Sequence, residues 1–547
     1  LKPLERPTKT ESSRRFQQSL GMSSSTPYAL AGLATVLSIV IAAASVTKDV
    51  GRPEWQSFGT NTGCGRSAAA SSASGVQVGS APSLDVCERW CADAGDSCKA
   101  VEFNMATMSC RLFARGVRQV HISEDAECLR KLEQHDTEVF VMLPLDVISA
   151  PQNITDPSGL EAMFDGLQSA GVDGFMVDVW WRLSEPRPKE YTFTAYRELF
   201  EMARARGWKV QVVTSFHQCG GNVGDKCDIP LPDFVLEAKD IWYKDASGVE
   251  TLEYISLFAD DVDINGRTPL AMYSDWLDAF VAEFSDELGS LVADLMIGMG
   301  PAGELRYPSY PLSRWKFCGI GEFQVYDKHA LESLRSAALA VGRPDWASPP
   351  PPAHVGNYNS RATDTFFFTT GFAADFGRFF MDWYFSALKR HGARILGIAR
   401  RALGDRAKIS GKISGIHWWY NYRSHAAEAT AGYYNTNARD GYAELAEIFA
   451  KEDALLDFTC LEMKNTDNPE DCYSRPETLV MQVVDAAKTQ GARFSGENAL
   501  ERRDEKAFMQ MMRYANYAEA FTYLRLAPDL VEPDNLRNLG AFAAAAK

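Results

Sequence analysis

The sequence predicts an α/β fold whose larger part closes into a (β/α)8 TIM barrel with long loops. From Glu138 onward, eight short apolar runs alternate with longer amphipathic stretches, the rhythm of βα units. Some 400 residues carry these units, enough for such a barrel with insertions. Polar, chargeable and aromatic residues gather where seven of the runs end, and barrels of this kind keep their chemistry at that rim. A doubly wound open sheet is the alternative. No Gly-x-Gly-x-x-Gly turn follows the first run, which counts against its nucleotide-binding form.

The 547 residues exceed what one core organises, so further units are expected. Apolar residues make up 46% and the formal net charge is −16. That balance argues against a nucleic-acid partner, whose binding rests on basic phosphate contacts. Residues 1–27 form a polar, basic tail, and the sequence starts at Leu1 without Met, as a fragment of a longer chain would. Residues 28–46 form an uncharged run of nineteen, roughly 28 Å as a helix and close to a hydrocarbon core. The preceding basic residues keep the N-terminus cytoplasmic. The run reads as a signal anchor touching the membrane or as a cleaved signal peptide, with Ala42-Ala43-Ala44 suited to a peptidase.

Residues 47–82 read as a Gly/Ser/Ala-rich linker entering a small disulfide-rich module. Cys64, Cys87, Cys91, Cys98, Cys110 and Cys128 supply an even number in a short stretch, a disulfide framework with connectivity left open. Zinc is the competitor, but no C-x-x-C pair is present and His121 stands alone. The run Cys87-x3-Cys91-x6-Cys98, with Val101-Glu102-Phe103-Asn104 and Cys110-Arg111-Leu112-Phe113, resembles an apple/PAN module over residues 60–131. That resemblance implies a protein or carbohydrate partner.

The barrel, residues 136–547, is expected to use strands at Val139–Leu143, Gly174–Val179, Lys209–Thr214, Leu291–Gly298, Lys408–Ile413, Leu456–Cys460, Arg493–Ser495 and Ala520–Leu524. Glu304 follows the fourth run through a Gly-Pro-Ala-Gly turn, which marks it as a candidate active-site acid. A lone buried His or Asp is more often structural, so the convergence of seven strand ends carries the reading.

Two stretches bring a resemblance into view: His217-x-Cys219-Gly-Gly-Asn-Val-Gly-Asp225 and Gly300-x-Ala-Gly-Glu304-Leu-Arg-Tyr-Pro-Ser-Tyr310. Supporting matches are Met142-Leu-Pro-Leu145, Val177-Asp-Val-Trp-Trp181, Ser414-Gly-Ile-His-Trp-Trp419, Ala431-Gly-Tyr-Tyr-Asn435, Phe458-Thr-Cys-Leu-Glu-Met463 and Gly496-Glu-Asn-Ala-Leu500. In this order, over residues 138–526, the chain resembles the β-amylases, glycoside hydrolase family 14.

The resemblance implies an exo-acting, inverting hydrolysis of α-1,4-glucans that releases β-maltose, with Glu304 as general acid and Glu497 as general base. Inversion needs one protonated carboxyl on the leaving oxygen and one carboxylate activating water on the opposite face. The acid is expected in the less polar setting. By the same resemblance, Asp178 and His217 hold the terminal sugar and Lys412 the sugar at the scissile bond. Arg525 favours the ionised base. Asn498, Ala499, Leu500 and His417 belong to the subsites. Gly220–Asp225 forms a lid carrying Asp225 to the substrate, and Thr459 lies on a switching inner loop. On spacing alone Glu462, a third carboxylate close by, competes with Glu497 as base; Glu497 is preferred because it stands in the Gly-Glu-Asn-Ala-Leu stretch, and Glu462 is read as an organiser of hydrogen bonds. No metal or organic cofactor is implied.

Four residues depart from the family pattern: Asp146 after Leu-Pro-Leu, Arg182 after Trp-Trp, Cys318 in place of Pro, and Glu501 after Gly-Glu-Asn-Ala-Leu. Arg182 and Asp146, near the rim, put subsite shape and glucan preference in doubt, and none of the four touches the acid or base. Two other readings stand beside the enzyme: a catalytically weak glucan sensor or scaffold, and an adhesion protein acting through its cysteine module. The signal-like run, the cysteines and the sequon Asn153-Ile154-Thr155 point to the secretory route, membrane-anchored or lumenal, or onward to a complex plastid.

Overall fold

The computed structural model describes residues 137–515 and 517–547. Within 55–131 it describes five strands and the separate positions Leu84, Cys87, Cys91, Cys98 and Thr107. The tail 1–27, the run 28–46 expected to cross a membrane and much of the linker 47–82 lie outside the described residues. Among the described residues no helix is long and apolar enough to cross a membrane.

The cysteine module is a five-stranded antiparallel sheet. Its central strand, Ala100–Asn104, lies between Ser109–Phe113 and Val120–Lys131. Cys87 is bonded to Cys110 and Cys91 to Cys98, so these four are cross-links rather than zinc ligands. They form a small core with Val101 and Phe103, the kind of reinforcement a unit too small for a large core needs.

The barrel is closed and parallel. Its strands are β1 Glu138–Met142, β2 Gly174–Trp180, β3 Lys209–Ser215, β4 Val292–Ile297, β5 Lys408–Ile413, β6 Leu455–Phe458, β7 Arg493–Glu497 and β8 Ala520–Tyr523. Each expected strand is present, with ends that shift by no more than two residues. β7 runs two residues further than expected, to Glu497, and β6 stops two residues early, at Phe458. Beyond it Thr459 leaves the ladder, and Cys460 takes a left-handed φ of 65°. The strands are almost wholly buried because helices cover their outer face.

The long interval between β4 and β5 holds helices Lys328–Ala340 and Asp375–Leu403. The first starts where the Asp327 carboxylate accepts from the His329 and Ala330 amides, satisfying donors that have no partner in the helix. The second runs 29 residues and ends at Gly404, φ 57°. Between Arg502 and β8 the described residues hold one helix, Glu505–Ala515.

Candidate active site

The carboxyl ends of the strands surround a cavity of about 410 Å³. Ten of the twelve residues singled out in the sequence line it: Asp178, His217, Asp225, Glu304, Lys412, His417, Thr459, Ala499, Leu500 and Arg525. Glu497 and Asn498 are fully buried behind the wall. The Asn498 amide braces the chain, donating to Leu500 O and Leu524 O and accepting from Leu524 N.

Glu304 follows β4 through the turn Pro301–Gly303 and is bridged to Lys412 of β5. Its Oε2 accepts from Arg306 Nε (2.6 Å) and Ser414 Oγ (3.0 Å). The chain bends tightly between them, Arg306 N donating to Glu304 O (2.8 Å), and this turn brings the two side chains together. Arg306 Nη2 also donates to Asn222 Oδ1 (2.9 Å). Asn222 Nδ2 in turn donates to Glu253 Oε1 (2.6 Å), which also accepts from Ala302 N. A continuous network therefore joins the Gly220–Asp225 loop to Glu304.

The expectation that Glu304 occupies the less polar of the two settings is reversed. Glu304 has a guanidinium, a hydroxyl and the open cavity beside it, whereas Glu497 is sealed inside the barrel. Burial pushes the Glu497 carboxyl well above its ordinary range; Lys412 opposes this and Asp457 adds to it. Lys412 Nζ is 2.5 Å from Glu497 Oε1. Burial pulls Lys412 down, but Glu497, Asp457 and Glu304 outweigh it and hold the ammonium above its ordinary value. Lys412, not Arg525, is thus the cation at Glu497. Arg525 Nη1 donates to Met142 Sδ and Leu143 O.

Asp178 lies near the end of β2 with Oδ1 accepting from Ser215 Oγ (2.6 Å), while Oδ2 is buried without a protein partner. His217 Nδ1 is in the same position. Burial, then Lys412 and Arg306, push this imidazole down to about 3, so it is neutral near pH 7 and can donate or accept toward a hydroxyl. His417, lowered to about 4 by burial, is fixed by Ser474 Oγ at 2.7 Å from Nδ1. Tyr310, Trp315, Phe317 and Trp418 complete an aromatic wall of the kind that accepts sugar faces.

The Gly220–Asp225 loop is a hairpin closed by the bridge Cys219↔Ile229 and the disulfide Cys219–Cys227. Gly220, at φ 111°, sits where an added Cβ would meet Cys227 O at 2.7 Å. Asp225 Oδ2 accepts from Gly220 N, Asn222 N and Asn222 Nδ2. Glu462 Oε2 and Oε1 accept from Ala499 N (3.0 Å) and Leu500 N (2.7 Å), and burial pushes its carboxyl up to about 7.

The departures from the family pattern find partners. Arg182 makes a two-pronged pair with Asp233. Cys318 is bonded to Cys472, tying the loop that carries Phe317 to the segment after β6. Glu501 pairs with Arg503. Asp146 is exposed, and its carbonyl accepts from Thr155 Oγ1. The residue-level reading did not single out Arg306, Glu253 or Asp457 as site residues. Arg306 stood inside a quoted motif. Glu253 comes from Glu250–Ile255, which pairs with Trp242–Lys244 in a hairpin that nothing in the local pattern ties to the rim.

A sequence profile of glycosyl hydrolase family 14 matches residues 140–547, and one of the PAN domain matches residues 66–131. Over 423 residues the chain is 49% identical to "Beta-amylase 2, chloroplastic" of Oryza sativa subsp. japonica, covering 74% of this chain and 76% of that protein. Over 428 residues it is 45% identical to "Beta-amylase 1, chloroplastic" of Arabidopsis thaliana, covering 74% of each. The solved catalytic domain of β-amylase from Paenibacillus polymyxa superposes with a TM-score of 0.65 at 29% identity, covering 76% of this chain and 99% of that domain.

Proposed function

The chain belongs to glycosyl hydrolase family 14, and we propose that it is a β-amylase that hydrolyses α-1,4-glucan chains of starch from the non-reducing end and releases β-maltose. The observation that carries this reading is the pairing of two carboxyls in different settings, Glu304 open to the cavity after β4 and Glu497 enclosed at the end of β7.

Glu304 gives its proton to the glycosidic oxygen as the bond to the anomeric carbon breaks. Glu497 takes a proton from the water that attacks that carbon from the opposite face. Lys412, between the two, favours the ionised form of Glu497 and neutralises charge on the sugar side. Asp178 Oδ2 and His217 Nδ1, both without protein partners, receive hydroxyls of the terminal sugar. Thr459 holds the attacking water or the leaving sugar. The loop around Asp225 closes over the chain end, excludes water and limits cleavage to that end. The reaction calls on no metal or organic cofactor.

The PAN domain docks the enzyme to a protein or carbohydrate surface. The disulfides support a route through an oxidising compartment, and the plastid names of the relatives place plastid delivery within the proposal. Proton NMR of the first products from maltoheptaose tests the reading. Early β-maltose, lost in Glu304→Gln and Glu497→Gln, is expected. Early α-maltose would overturn the inverting mechanism, and bound glucan without product would favour a sensor.

A further inference from the structure

Asp457, two residues before Thr459, lies beside Glu497. In the ladder of β5, β6 and β7, Lys412 is registered with Asp457, and Asp457 with Ser495. Registered residues of parallel strands point to the same face, and Glu497 follows Ser495 by two on that face. Asp457 is 2% exposed and Glu497 0%. Ser495 Oγ donates to Asp457 Oδ1 (2.7 Å). Asp457 Oδ2 has no hydrogen-bond partner, and neither do Oε1 and Oε2 of Glu497. Lys412 Nζ stands 2.5 Å from Oε1 as an ion pair.

Two buried carboxylates face one ammonium. With both ionised, the trio carries an excess negative charge inside the barrel, which costs several kcal/mol. With one proton between them the trio is neutral, and Asp457 Oδ2 gains a hydrogen-bond partner in one of the two Glu497 oxygens. The other charges facing this group do not alter the count. Glu304 is matched by Arg306; Asp178 and Arg525 face the same cavity from β2 and from the end of β8.

We propose that Asp457 is a positioning residue for the base: its carboxyl shares one resident proton with Glu497 and so holds the Glu497 carboxylate in one orientation beside Lys412. The inference rests on the reading of Glu497 as base. The shared proton is not consumed. In the hydrolytic step water gives its proton to Glu497 and its oxygen to the anomeric carbon, while the leaving oxygen takes the proton of Glu304. Ser495 fixes the other Asp457 oxygen, so the hydrogen bond to Glu497 has one direction.

Infrared difference spectra of the resting full chain, together with steady-state kinetics on maltoheptaose, test this. At neutral pH the wild type is expected to show a protonated-carboxyl C=O band that disappears in Asp457→Asn and also in Glu497→Gln. Asp457→Asn, which still offers an N–H to Glu497, is expected to keep kcat within about tenfold, whereas Asp457→Leu loses roughly 10²-fold in kcat with KM little changed. Absence of the band, its survival in Glu497→Gln, or wild-type kcat in Asp457→Leu would overturn the shared proton. If Glu497→Gln stays active, the base assignment fails, while the band still reports on the pair. If the Leu variant does not fold, the infrared comparison with the isosteric Asn decides.

Discussion

Lys412 Nζ lies 2.5 Å from Glu497 Oε1, inside a barrel that leaves Glu497 no exposure. An ion pair at that depth differs from one at the surface: with one partner removed, the other charge is left buried and unmatched. Lys412→Met is therefore expected to lower kcat on the order of 10²–10³-fold. It should also move the acid limb of the kcat/KM profile to higher pH. The sign follows from the base having to be ionised. Burial already raises the Glu497 carboxyl, and without the ammonium opposing it the carboxylate forms only at still higher pH. An acid limb that does not move in the variant would show that Lys412 acts on the sugar alone.

The hairpin proposed to close over the chain end is cross-linked at its base. Reducing Cys219–Cys227 with a dithiol, or replacing both residues with Ser, is expected to raise KM for maltoheptaose several-fold, because more loop conformers must be ordered on closure. Gly220→Ala should act in the same direction through its left-handed backbone and the close Cys227 carbonyl. Hydrogen exchange of residues 219–227 in the two redox states checks the cause: faster exchange after reduction is the expected result.

Cys318–Cys472 joins positions 154 residues apart. Its removal by Cys318→Ala with Cys472→Ala is expected to cost about 2–4 kcal/mol of stability. It should also loosen the wall at Phe317, read as weaker binding of long glucans than of short ones.

Asp294, in the barrel interior below the site, is bonded to Ser410 Oγ and Gln211 Nε2, and burial pushes its carboxyl from 3.8 to about 6. A raised native carboxyl means that the folded state binds a proton the unfolded state releases, so stability falls as pH rises from about 4 to about 7. Asp294→Asn removes this dependence. Its Tm relative to wild type should climb across that window, by up to roughly 3 kcal/mol in equivalent stability. A constant difference in Tm would show that Asp294 is not protonated in the fold.

The eight apolar runs and the Gly-rich loop were legible in the chain because a buried parallel strand and a hinge each leave a local signature. So were Glu304 and Glu497, through the stretches that resemble family 14. The settings of those two carboxyls were not legible. Glu304 meets Arg306 across a local bend, but Glu497 meets Lys412 and Asp457 only because β5, β6 and β7 close side by side with one register. The cysteines show the same division. An even number in a short stretch announced a cross-linked module, yet Cys318 and Cys472 are brought together only when the loops after β4 and β6 reach the same rim. Residue type and spacing determined which groups exist and on which strand ends they stand. Burial, charge partners and protonation were decided by contacts between residues far apart in sequence, and these form only when the barrel closes.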